Sequence, residues 1–163
     1  LGQLSDRELA PFADAIKIDV PMIMTAHILL PEIDRIHPAT LSPRIINGIL
    51  RRDMAFEGVI VSDDLEMAAI ADNYSILKAA ILALRAGVDA FIISKTQELW
   101  FPLRDQLVNA AESDTEIRDA IHQAAERVVH TKRKFISSPE TLNWSECVGK
   151  QEHLDFVRKH FNI

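Results

Sequence analysis

Two adjacent carboxylates, Asp63-Asp64, follow the apolar run Val59-Ile60-Val61-Ser62 and are the most chemically capable groups in the chain. A carboxylate at a strand end can serve as nucleophile, general base or metal ligand. The pair has a structural use as well. Asp63 and Glu66 have the spacing of a capping box for the next helix, so one Asp can cap while the other points into a cleft. His27 ends the run Met22-Ile23-Met24-Thr25-Ala26. An imidazole there can act as an acid, a base or a substrate contact, or simply bond a neighbouring loop. Ser94-Lys95 close a third run, Ala90-Phe91-Ile92-Ile93.

Other polar groups read as structural. His37 lies in a loop and reads as exposed, and His122, His130, His153 and His160 fall on polar helix faces open to solvent. Lys132-Arg133-Lys134 suits the negative end of a helix dipole. Trp100 and Trp144 could stack on a sugar, but packing accounts for both. No glycine-rich phosphate loop, His-x-x-x-His pair or nucleophile elbow occurs, so nucleotide, zinc-protease and serine-hydrolase chemistry find no support.

The elements that must position these groups follow from periodicity. Ser5 and Glu8 form a capping box, with Leu4 and Leu9 as a hydrophobic staple, ahead of a helix over 6–17. Met22 to His27 reads as a strand buried on both faces. Ser42 as N-cap and Pro43 at the first helical position open a helix that buries Ile45, Ile46, Ile49 and Leu50. Val59–Ser62 is a second buried strand. The next helix carries Ile76, Leu77, Ala80, Ile81 and Leu84 on one face and stops at Gly87. After the third strand come helices near 102–111 and 114–135, the latter opened by Ser113 and Glu116. Beyond Ser137-Ser138-Pro139 the signal weakens to one short helix around 153–160. Buried strands separated by loop and helix require a parallel α/β sheet, whose strand C-termini share one face. That topology alone brings His27, Asp63-Asp64 and Ser94-Lys95 to one side.

The chain has 163 residues, 48% hydrophobic and 26% charged, with a formal net charge of −6. This composition folds, and its acidity excludes nucleic acid and anionic membranes as partners. No stretch approaches the roughly 18 apolar residues of a membrane span. The absence of a visible signal peptide and the lone Cys147 point to a cytoplasmic, reducing location.

Three segments, Ile23-Met24-Thr25-Ala26-His27, Pro38-Ala39-Thr40-Leu41-Ser42-Pro43 and Phe56 through Met67, occur in the order found in family 3 glycoside hydrolases. The chain resembles most closely the single-domain β-N-acetylhexosaminidase branch (NagZ type), over roughly residues 5–135. The resemblance implies part of a TIM (α/β)8 barrel, about its last three β/α units plus C-terminal helices. Residues 1–136 would belong to the barrel and 137–163 to a helical extension of the same domain. It also implies retaining hydrolysis of terminal β-linked N-acetylglucosamine without metal or cofactor, on a muropeptide or chitooligosaccharide. Asp63 maps to the nucleophile, Asp64 and Met67 to the rim of the substrate site, and His27 to the end of the sixth strand. The family's acid/base histidine-aspartate loop, its Lys-His pair and its binding arginine have no counterpart in this sequence. A complete barrel takes about 250 residues, so little activity is expected of this chain alone. Two other readings stay open: a half-barrel that self-associates through open sheet edges, and a non-catalytic remnant that binds a sugar or a protein.

Overall fold

Three parallel strands, β1 (Met22–Met24), β2 (Val59–Asp64) and β3 (Ala90–Ile92), form one sheet in that order. The computed structural model describes residues 7–136 and 149–161. The Ser5 capping box with its Leu4 staple, the Ser137-Ser138-Pro139 break, Trp144 and Cys147 lie outside them. Helix α1 (Ala10–Lys17) precedes β1, and a π-helix (Arg44–Asp53) joins β1 to β2. Its wide winding is visible at its end, where Met54 N–H donates to the Ile49 carbonyl five residues back. A single turn, α2 (Ala68–Ala71), and α3 (Ile76–Ala86) join β2 to β3; α4 (Trp100–Ser113), α5 (Thr115–Phe135) and α6 (Gln151–Phe161) follow.

The core lies on the helical side of the sheet. Ile23 and Ile60 stand opposite each other in register and pack with Leu41, Ile46, Leu65, Ile70 and Val88. Ala79, Ala80, Ala83 and Ala86, all fully buried, let α3 pack closely against α5 and the turn at Ala39–Leu41. Ser75 caps this helix by accepting from Lys78 N–H, and Gly87 ends it at φ +104°, a left-handed value that favours glycine.

Burial on both sides holds for β2, where the neighbours Val59 and Ile60 are both buried, but the opposite sheet face corrects it for β1 and β3. Met22 and Met24 flank buried Ile23 but are 55% and 53% exposed, and the residues of β3 are only half-buried. Among the described residues, packing reaches only one face of β1, and β3 has a strand neighbour on one side alone. Beside β3 an open apolar groove of about 730 Å³ runs between Phe91, Ile93, Trp100, Leu107, Ile121 and Val128. The first strand is also shorter than its apolar run: Thr25 N–H makes the last bond to β2, at the Val61 carbonyl, and the side chains of Thr25 and His27 turn to Thr40 in the loop that follows.

The helix signals hold in one place and shift in another. Ser42 caps the helix that Pro43 opens, as its spacing predicts: its backbone is extended and its hydroxyl accepts from Ile45 N–H at 3.4 Å, while the same hydroxyl also donates to buried Asp34. Asp114 rather than Ser113 caps α5, accepting from Glu116 N–H and Ile117 N–H, while Ser113 bonds back to the carbonyls of Asn109 and Ala110.

Candidate functional site

The three strand ends meet at Asp64. From the end of β1, His27 Nε2 lies 2.9 Å from the Asp64 carbonyl oxygen. From the end of β3, the Ser94 hydroxyl donates to Asp64 Oδ2. The Asp64 N–H donates to Asp63 Oδ1 at 2.8 Å, and its other carboxylate oxygen accepts from Glu66 N–H at 3.0 Å. The register between β2 and β3 shifts between Val61 and Asp64, an irregularity of the kind that re-aims a side chain beside a functional site.

This arrangement separates the two carboxylates by role. Asp64 spends both oxygens inside the protein. The Ser94 hydroxyl, followed by the Glu66 amide, holds its carboxyl below the usual carboxylate range, so it stays ionised as an acceptor. Asp63 is half-buried and accepts one bond, through Oδ1, from the backbone. Its second oxygen carries no bond among the described residues.

The capping-box expectation for Asp63 and Glu66 fails. Helix α2 starts only at Ala68 and takes no side-chain cap. The Glu66 carboxylate crosses instead to β3's loop, where Oε2 accepts from Lys95 N–H at 2.8 Å and Thr96 N–H at 2.9 Å. The Thr96 side chain first, and then these amides, lower the Glu66 carboxyl as well. A loop that needs its amides satisfied outcompetes the local box. Met67 follows, 46% exposed, its N–H donating to the Asp64 carbonyl at 3.0 Å.

Both ring nitrogens of His27 are engaged within the protein, Nε2 by Asp64 and Nδ1 by Thr40 Oγ1 at 2.9 Å. Thr40 is fully buried and touches Thr25 Oγ1 at 2.8 Å. It sits in the 3-10 turn Ala39–Leu41. The loop before that turn is held by buried Asp34, which accepts from Ile36 N–H, His37 N–H and the Ser42 hydroxyl. Burial works to raise the Asp34 carboxyl, but the two amides and Ser42 outweigh it and hold it at about 2. His37, expected in solvent, is half-buried, with Nδ1 3.5 Å from Asp34.

Sequence reasoning named His27, Asp63, Asp64, Ser94 and Met67, and missed Thr25, Thr40 and Asp34. Their signal was present but faint: a short Asp ahead of free amides marks an Asx turn, and a Thr within an apolar turn must find a partner. Trp100, read as a packing residue, is 48% exposed and donates its indole N–H to the Ile93 carbonyl.

Comparison with known proteins decides the family. Residues 2–131 match the glycosyl hydrolase family 3 N terminal domain. The chain belongs to glycosyl hydrolase family 3. It is 31% identical over 161 residues to beta-hexosaminidase A of Pseudoalteromonas piscicida, a match covering 86% of this chain and 26% of that protein. It is 38% identical over 115 residues to the beta-hexosaminidase of Methylococcus capsulatus, covering 69% of this chain and 34% of that protein. The family 3 beta-N-acetylglucosaminidase structure from Paenibacillus sp. superposes with a TM-score of 0.81 at 32% identity, covering 97% of this chain and 31% of that one. The chain thus spans about a quarter to a third of these family 3 relatives. Its α/β sheet is the corresponding part of a family 3 barrel domain.

Proposed function

We propose that this family 3 chain carries the nucleophile half of a retaining β-N-acetylglucosaminidase site, with Asp63 as the nucleophile. The observation that carries the reading is the asymmetry of Asp63. One oxygen is held by a backbone N–H at the C-terminal end of the middle strand, and the other is left for a substrate carbon. The names of the relatives, beta-hexosaminidase and beta-N-acetylglucosaminidase, support a β-linked N-acetylglucosamine as the substrate class, and our reading extends it to the terminal sugar of a muropeptide or chitooligosaccharide. Asp63 attacks the anomeric carbon, forming a carbon–oxygen bond as the bond to the aglycone breaks. The aglycone departs with the electron pair and takes a proton from a general acid. Water then attacks the same carbon as its proton passes to the conjugate base of that general acid, the bond to Asp63 breaks with its electron pair returning to the carboxylate, and the sugar leaves with retained configuration. A strand-held carboxylate needs little reorganisation for this attack. Asp64 and Met67 border the site, Asp64 as the residue whose backbone N–H orients the nucleophile's carboxylate.

The acid step asks for a group this chain does not visibly supply, so hydrolysis of ordinary glycosides by the chain alone is expected to be slight. An N-acetylglucosaminyl fluoride carrying fluorine at C5 removes that requirement, because fluoride leaves without protonation. Incubation with this reagent, followed by intact-mass and peptide analysis, is expected to add one sugar to the peptide containing Asp63, and Asp63→Asn is expected to abolish it. A folded chain that stays unlabelled would overturn the assignment. In that event, saturable binding of N-acetylglucosamine would favour the sugar-binding remnant.

A further inference from the structure

We propose that His27 is a positioning residue for Asp63, acting through the Asp64 peptide rather than on the sugar; the proposal rests on the reading of Asp63 as nucleophile. A carbonyl oxygen only accepts, so the proton shared with Asp64 belongs to His27 Nε2. Nδ1 then meets the Thr40 hydroxyl, which donates to it while Thr25 donates to Thr40. Thr40 is fully buried, so this short relay anchors the ring from the core side. On the other side the ring grips Asp64, whose carbonyl is also held by Met67 N–H and whose carboxylate is held by Glu66 N–H and Ser94.

With its carbonyl and carboxylate both held, rotation about the Asp64 Cα, which joins the carbonyl's peptide unit to that of the N–H, is restricted. The Asp64 N–H is therefore aimed at Asp63 Oδ1, and the free oxygen of Asp63 is presented in one orientation. The relay spans three segments distant in sequence: the β1 exit, the turn at Ala39–Leu41 and the end of β2. A ring whose two nitrogens are both used in this way has no nitrogen left for a substrate hydroxyl. An orienting group one step removed from the reacting atom is effective because displacements on the order of 1 Å can change rates about a hundredfold.

The test uses His27→Leu, which removes both bonds, and His27→Gln, whose side-chain amide can reproduce the donor at Nε2. Two independent readouts apply. In an amide-resolved NMR titration of the parent chain, the Asp64 N–H resonance is expected to follow the ionisation of the Asp63 carboxyl, a coupling identified by its loss in Asp63→Asn. His27→Leu is expected to lose this coupling and His27→Gln to keep it. In labelling by the C5-fluorinated glycosyl fluoride, His27→Leu is expected to lower the inactivation rate constant about tenfold or more. The reagent's half-saturation concentration is expected to stay within about twofold, and His27→Gln is expected to restore the rate.

An unchanged Asp64 titration in His27→Leu would overturn the proposal, as would a loss expressed only in half-saturation. Should His27→Leu fail to fold, Thr40→Val supplies the milder break, with the same coupling weakened. A parent chain that shows the Asp64 coupling but no labelling would sink the nucleophile reading and leave the positioning geometry standing. Labelling that is indifferent to His27 would do the reverse.

Discussion

Arg51 and Asp89, 38 residues apart, form an ion pair whose carboxylate is fully buried and whose guanidinium is 12% exposed. Asp89 precedes β3, so the pair sits at the strand N-termini, away from the face that carries Asp63. The same carboxylate accepts from Ile60 N–H at 2.8 Å and from Arg127 Nη1 at 2.8 Å. Arg51 spends its other amino group on the carbonyls of Phe56 and Gly58. One aspartate thereby ties the π-helix, β2 and α5 together.

Removing that carboxylate leaves two arginines facing an emptied site. Asp89→Ala is expected to cost about 3–5 kcal/mol, the scale for a buried pair that loses one partner. Arg127→Ala is expected to cost about 1 kcal/mol, since this side chain is 32% exposed and partly solvated already. Urea unfolding of both variants checks the ranking, and equal losses would contradict it.

Asp34 sets an acid limit. Its carboxyl is held at about 2 in the folded chain, below the ordinary 3.8. A depressed value means the ionised form favours folding, so the contribution is complete above about pH 4. It is lost as pH falls from there through about 2. Midpoints of urea unfolding measured between pH 2 and 5 are expected to fall more steeply for the parent than for Asp34→Asn. Parallel curves would show that the Asp34 bonds do not stabilise the loop.

Gly87→Ala tests the end of α3. A methyl group there would strike the Asn47 side chain, and φ +104° strains any L-residue. The expected cost is about 1–3 kcal/mol. Thermal unfolding measures it, and a neutral result would mean that the turn can move.

What could be read from the sequence divides along a physical line. Strand positions, α3 with its Gly87 end, and the convergence of His27, Asp63 and Ser94 all follow from apolar periodicity and chain direction. Those are local or topological properties. The pairing of Glu66 with Lys95 and Thr96, and of His27 with Thr40, depends on which loop amide or hydroxyl lies nearest after folding. A capping spacing at Asp63 and Glu66 carries no information about a competing partner some 30 residues away. Burial of β1 on both sides was misread for a similar reason: Met22 and Met24 are apolar whether or not anything covers them.

The bare sheet face gives the fourth expectation. Met24→Lys is expected to change stability by less than about 0.5 kcal/mol, because Met24 is 53% exposed. Ile60→Val, on the covered face, is expected to cost about 0.5–1.5 kcal/mol. A large penalty at Met24, together with a concentration-dependent midpoint, would reveal a second copy packed against that face. Equilibrium unfolding at two protein concentrations separates the cases.

The one-sided core also bears on the order of events in folding. Ile23, Leu41, Ile60, Leu65 and the alanines of α3 close on one another without drawing any residue from the bare side. A segment whose packing is complete in this sense has the makings of a foldon, a cooperative unit that can form before its neighbours. The expected consequence is an order of assembly, in which the helical side of these three strands consolidates before anything packs on the face of Met22 and Met24; slower amide exchange at Ile23 and Ile60 than at Phe91 would bear it out.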